Sequence, residues 1–179
     1  MTNGDDRAAT LETDRLILRP HREEDLSAYE RLWLPPARGP AFTPVLDLEG
    51  AWARLLRLVG HRAVFGFAPW LAWERSSGRL VGEVGLARFH RGLGADFDDV
   101  PEAMWILAPE ARGRGLAGEA MGAALADADR RRISARCVCM IDPDNAVSMR
   151  LAAALGFRPY REALRHDRGI VLFERHRPD

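Results

Sequence analysis

The chain contains no lysine: all 26 of its basic side chains are arginine. Catalysis through a lysine Schiff base and a phosphate loop built on lysine are therefore excluded. It has two cysteines, Cys137 and Cys139, two residues apart. Neighbours at that spacing on a strand share a face but rarely form an unstrained disulfide. There is no second pair to complete a zinc site, so both are expected as small buried side chains. His21, His61, His90, His166 and His176 show no metal-ligand spacing, and no metal is expected. No apolar run approaches the ~20 residues that a membrane-spanning helix needs. The first ten residues are polar and acidic, unlike a secretory signal, so the cytoplasm is the expected compartment. Formal net charge is zero, which removes the global basic field of a nucleic-acid binder.

What is present is a folded-protein composition over 179 residues, enough for one domain with a substantial core. Residues 1–12 read as a flexible tail before a single domain over 13–179. DRLILRP (14–20) alternates into a strand that stops at Pro20. HREEDLSAYERLW (21–33) has acids in its first turn and Leu26, Tyr29 and Trp33 at helical spacing. LPPARGPAFTP (34–44) reads as a loop, and 48–64 as a second amphipathic helix. Residues 66–89 give two strands around the turn SSG. A Gly- and Asp-rich loop (91–101) leads into the strand EAMWILA (102–108). A helix over 116–130 and the strand ARCVCMI (135–141) follow. A short helix then ends before Gly156, and two last strands are FRPYREAL and GIVLFER. The order β-α-α-β-β-β-α-β-α-β-β makes a mixed sheet covered by helices, an α+β fold.

ARGRGLAGEAM (111–121) contains G-x-G-x-x-G. As a dinucleotide fingerprint it is misplaced. Five residues separate Leu107 from the first glycine, and about a hundred mostly antiparallel residues precede it. The physics of the loop does not depend on that reading. Arg112, Gly113, Arg114, Gly115, Leu116 and Ala117 join a strand to a helix start, where free N–H groups and the positive helix end favour an anion. The two arginines can add charge from the rim.

TDRLILRPHREEDL, GRLVGEVGL, PEARGRGLAGEAM and DNAVSMRLAAALGF, in that order, resemble the GNAT N-acetyltransferase superfamily over nearly the whole chain. The opening and Ser148 look most like its RimJ/RimL-type branch, which acetylates ribosomal-protein N-termini. The resemblance implies a mostly antiparallel sheet with one splayed parallel pair, EAMWILA and ARCVCMI, and helices on both faces. It implies acetyl-CoA as acyl donor. Arg112 to Ala117 match the R-x-x-G-x-G/A loop that cradles the pyrophosphate. Backbone groups of Ile106, Leu107 and Ala108 would pair with pantetheine, and Asn145 and Ser148 match the N-x-x-S helix. The tyrosine that many members place four residues before the L-G-F glycine is Ala152 here; Ser148 matches the position where the RimL-type branch has a serine that can donate to the departing thiolate.

Amine attack on a thioester also needs a base, for which Glu102 and Glu83 are the candidates. Glu102 opens the strand before the phosphate loop and resembles the strand glutamate that some members use as base; Glu83 lies among Gly82, Val84 and Gly85. The acceptor expected is a primary amine, either a peptide N-terminus or a small molecule. Asp96, Asp98, Asp99 and Glu102 would attract a cationic one. Trp33, Phe42, Trp70 and Trp73 either line an acceptor pocket or pack the core. A homodimer is the expected assembly from family habit. The alternative is a non-catalytic acyl-CoA-binding sensor or scaffold.

Overall fold

A computed structural model describes residues 10–33 and 47–178. Its framework is one eight-stranded sheet in the order β1-β2-β3-β4-β5-β6-β8-β7. The strands are β1 (Leu11–Glu12), β2 (Leu16–Arg19), β3 (Trp70–Glu74), β4 (Leu80–Ala87), β5 (Glu102–Leu107), β6 (Arg136–Ile141), β7 (Arg158–Arg165) and β8 (Arg168–His176). Neighbours are antiparallel except β5 and β6. The helices are α1 (Leu26–Trp33), α2 (Leu48–Phe65), α3 (Ala95–Asp98), α4 (Leu116–Arg130) and α5 (Ala146–Ala154).

Two short elements differ from the sequence expectation. Leu11 and Glu12 pair with Leu18 and Ile17, so the sheet begins inside the segment read as a tail. Ala95–Asp98 forms a single helical turn inside the Gly- and Asp-rich loop. The loop expected over 34–44, with Phe42, lies outside the described residues, as do residues 1–9.

Helices cover both faces. Glu83 stands opposite Ile106 and Gly85 opposite Met104, so these side chains share one face of the sheet. That face receives α1 and α2: Tyr29 and Arg54 both reach Glu83 there. Trp105 points to the opposite face by strand alternation and meets Ser148 of α5. Helix α4 packs beside α5, where a Cβ on Gly118 would meet Leu151. The core between sheet and helices contains Leu16, Leu18, Trp70, Leu71, Val84, Leu116, Met121 and Leu125. At ~25 cal/mol per Å² of apolar surface, burying each such side chain contributes about 1.5–3 kcal/mol.

Each long helix has a local reason for its ends. Asp47 caps α2 by accepting from Gly50 N at 2.8 Å, and Gly66 closes it in the left-handed region. Asn145 caps α5 by accepting from Ser148 N at 3.0 Å. Helix α4 has no side-chain cap: its N-cap is Gly115, at φ +76°.

Candidate active site

β4 and β5 are paired from Gly82↔Leu107 to Ala87↔Glu102. β5 and β6 are paired only at Glu102↔Val138, with Val138 N donating to Pro101 O at 3.0 Å. Beyond that point the parallel strands diverge. Glu102 and Ala103 are buried, whereas Met104, Trp105, Ile106 and Leu107 are half-buried although their strand is central. A cleft of about 400 Å³ occupies the opening, between Ala103–Ile106 of β5 and Cys139–Ile141 of β6. Asn145 and Ser148 border it on the α5 side; Trp33, Arg54 and Arg57 border it on the α1/α2 side.

Backbone direction decides which peptide groups face the opening. Ala108 N donates to Val81 O at 3.0 Å, so Ala108 is committed to β4. Alternation then turns Ile106 toward β4 and Trp105 and Leu107 toward β6. The expected run Ile106, Leu107, Ala108 is therefore corrected: of the three, Leu107 presents its backbone to the gap, and Trp105 joins it. Leu107 O also accepts from Arg112 Nε at 3.2 Å.

The anion loop lies at the far end of β5. Pro109–Ala111 makes a short 3-10 turn, and Gly113 (φ +72°) and Gly115 (φ +76°) bring the chain into α4. A Cβ on Gly113 would meet nothing within 4 Å, so conformation rather than crowding calls for glycine there. Leu116 anchors the first turn in the core, fully buried. The two arginines are turned aside. Arg112 reaches Leu107 O, and Arg114 pairs with Glu74. Arg15 steadies the loop, donating to Arg114 O at 2.8 Å and to Glu119 Oε2 at 2.6 Å. The free donors at this helix start are backbone amides, with no side-chain cap among them.

Ser148 and Asn145 stand together. Asn145 Oδ1 is spent on the helix cap, leaving its amide nitrogen to the cleft. Trp105 Nε1 donates to Ser148 Oγ at 3.2 Å, so the serine hydrogen is free to be given to another acceptor. Ala152 is fully buried in the core.

The two candidate acids have different surroundings. Glu83 is fully buried. Tyr29 OH and Trp33 Nε1 donate to its Oε2 at 2.9 and 3.0 Å, Arg54 donates to its Oε1 at 2.9 Å, and His21 Nε2 lies 3.6 Å away. Burial alone would raise this carboxyl. The Arg54 guanidinium, with His21, instead holds it at about 2. An acid that weakly basic, with its lone pairs taken, does not accept a proton near neutrality. Glu102 lines the cleft, and Arg91 holds it with two bonds of 2.8 and 2.9 Å.

The rest of the expected acidic cluster is used structurally. Asp98 accepts from the backbone N–H of Arg91 (2.6 Å) and Leu93 (2.9 Å), and Asp96 pairs with Arg161 at 3.0 Å. Of Asp96, Asp98, Asp99 and Glu102, the cleft wall includes Glu102 alone. Four arginines, Arg54, Arg57, Arg91 and Arg165, line it instead. They come from α2, a loop and β7. Their scatter among 26 arginines gave no sequence signal for them. Of the four aromatics, Trp33 lines the cleft, Trp70 is core, Trp73 carries Arg19 on its ring at 4.5 Å, and Phe42 is not described. Cys137 and Cys139 are free and buried; burial pushes the Cys137 thiol up to about 11 and raises Cys139 as well. No cluster of His, Cys, Asp or Glu able to hold a metal ion occurs among the described residues. No helix among them is long and apolar enough to cross a membrane.

A splayed parallel pair beside a glycine-led helix start without a side-chain cap is the arrangement that the resemblance implies. A family model of the acetyltransferase (GNAT) domain matches residues 15–158. The chain belongs to the GNAT acetyltransferase family. A GnaT-family acetyltransferase from Bordetella pertussis is 35% identical to this GNAT protein, with a TM-score of 0.83 over 93% of this chain and 98% of that one. An acetyltransferase from Agrobacterium tumefaciens C58 is 25% identical, with a TM-score of 0.79 over 93% and 94%. An acetyltransferase from Salmonella typhimurium, whose structure was solved with its cofactor acetyl-CoA, shares the GNAT fold at 18% identity and a TM-score of 0.70 over 92% and 95%.

Proposed function

We propose that this GNAT protein transfers the acetyl group of acetyl-CoA to a primary amine, by direct attack with donor and acceptor bound together. One observation carries the reading: the β5/β6 ladder stops after Glu102↔Val138, and the opening contains Ser148. The amides of Gly113 to Ala117 are suited to the diphosphate, because they are backbone donors at a positive helix end. The gap-facing peptide groups of Trp105 and Leu107 are suited to the pantetheine amides, as an added strand would be. The Asn145 amide is a further donor toward the same arm.

The neutral amine attacks the thioester carbonyl carbon, the carbon–sulfur bond breaks, and an amide and a thiolate result. The amine's proton must leave and the sulfur must gain one. Glu102 is the cleft carboxylate and takes a proton from the bound ammonium, directly or through water, so that the amine attacks in its neutral form; Arg91 fixes its orientation. The Ser148 hydroxyl gives the sulfur its proton and is restored from solvent. Glu83 is assigned to holding Arg54, Tyr29 and Trp33 in place.

The test is release of free thiol from acetyl-CoA by the purified protein with a panel of primary amines. Amine-dependent thiol release with formation of the N-acetyl product is expected. Tight acetyl-CoA binding without turnover on any amine would sink the reading.

A further inference from the structure

The acceptor side of the cleft contains more positive charge than acetyl transfer uses. Arg54 is matched by Glu83, and Arg91 by Glu102. Arg57 and Arg165 have no carboxylate partner among the described residues. Among the described residues the wall therefore sets four guanidiniums against the carboxylate of Glu102, with Glu83 lying outside the wall as the partner of Arg54.

Arg91 acts electrostatically on each of the two unmatched arginines. Arg57 and Arg91 lie over the same ring, Phe89, at 5.6 and 4.2 Å from its centroid. Arg165 is the last residue of β7, half-buried, and enters from the other wall. Arg57 is exposed at the mouth of the cleft, and partial desolvation makes both arginines less basic. For Arg57 the charges of Arg54 and Arg91 add to this, and for Arg165 the charge of Arg91. Arg91 is thus within electrostatic reach of both. Like charges gathered in a partly desolvated wall repel, and an anion among them lowers the energy. A guanidinium fork matches a carboxylate in particular.

Size and sign narrow the partner. The cleft of about 400 Å³ must take the acetyl end of the donor as well as the acceptor, so only a small acceptor fits inside it whole. A polycation would meet four like charges. We infer that the acceptor is a small amine carrying a carboxylate in the same molecule, of amino-acid type, its carboxylate drawn to the positive charge that Arg57 and Arg165 leave unmatched and its amine facing Glu102. This assignment rests on the transferase reading above and names its substrate class.

The experiment compares matched acceptors: leucine with leucinamide, glutamate with isoglutamine, and the diamine putrescine. Thiol release gives kcat/KM for each. Calorimetric titration of the CoA-loaded protein with leucine and with leucinamide gives binding without chemistry. The amide's amine is less basic and so more often neutral, which biases turnover against the expected result. The acids are expected to exceed their amides by about tenfold or more in kcat/KM and in affinity. That ratio should fall toward one in Arg57→Gln and in Arg165→Gln, with acetyl-CoA affinity unchanged. Binding of leucine over leucinamide without thiol release from any amine would support the carboxylate site and remove the transferase reading. Turnover that favours putrescine or the amides would overturn the carboxylate site and leave the transferase standing.

Discussion

Trp105 Nε1 and Ser148 Oγ are joined by a 3.2 Å hydrogen bond that bridges the strand on one side of the cleft and the helix that follows the other. Because the indole donates, the hydroxyl must direct its own hydrogen elsewhere. Ser148→Ala removes that hydrogen but leaves the α5 cap, which uses the backbone nitrogen. A fall in kcat of about a hundredfold is expected, with acetyl-CoA affinity little changed. Steady-state kinetics and calorimetry decide it: an unaltered kcat makes Ser148 an acceptor for Trp105 and nothing more.

Gly115→Val addresses the anion loop. At φ +76° a β-branched side chain is strained, and its bulk stands where amides must approach a phosphate. Acetyl-CoA affinity should fall by at least tenfold, with a stability loss of about 1–2 kcal/mol. Equal affinity in mutant and wild type would move the diphosphate site away from α4.

Ligand selectivity follows from the same loop. A ligand bound only by the folded protein adds about 2.7 kcal/mol at a hundredfold excess over Kd. Acetyl-CoA and CoA should raise Tm by several degrees, and NAD and NADP should not. A shift with NAD in place of CoA would restore the dinucleotide reading of residues 113–118.

Glu102→Gln separates the two carboxylates. Without the base, turnover depends on amine already neutral in solution. The deficit should be large near pH 7 and shrink as pH rises toward the amine's own pKa. A deficit constant across the pH range would make Glu102 a partner for Arg91 only.

Glu83 predicts an acid limit to stability. Its folded pKa of about 2 lies below the ordinary value of 4.5. Its ionisation therefore stabilises the fold fully above about pH 4.5, and the contribution is lost as pH falls toward 2. The gap corresponds to about 3 kcal/mol. Glu83→Gln leaves Arg54 buried without its counter-charge, costing about 3–5 kcal/mol near neutrality. Denaturant unfolding should show wild type and variant converging as pH is lowered. Parallel curves would remove Glu83 as the source.

The strands and long helices were legible because each carries its own periodicity, such as the alternation in Leu16–Arg19 and the buried stripe Leu116, Ala120, Met121, Ala124. β1 was not, because a two-residue strand is defined by its partner. The phosphate loop could be read because its chemistry is local. The charge of the cleft could not. Asp96 and Asp98 looked like an acceptor lure until Arg161 and the loop's own amides claimed them. Arg57 and Arg165 become neighbours of Arg91 only after the sheet folds. Glu83 looked isolated between valines and glycines because its partners Tyr29, Trp33 and Arg54 are 54, 50 and 29 residues away.

The single rung between Glu102 and Val138 leaves the sheet with a seam. On one side β1 to β5 are laced continuously; on the other β6, β8 and β7 are. Where the rung ends, the two panels are held by the helices behind them. A pantetheine seated there would be a splint as well as a reactant: it would stitch the panels along β5 while bound, and each departing CoA would unpick that stitching.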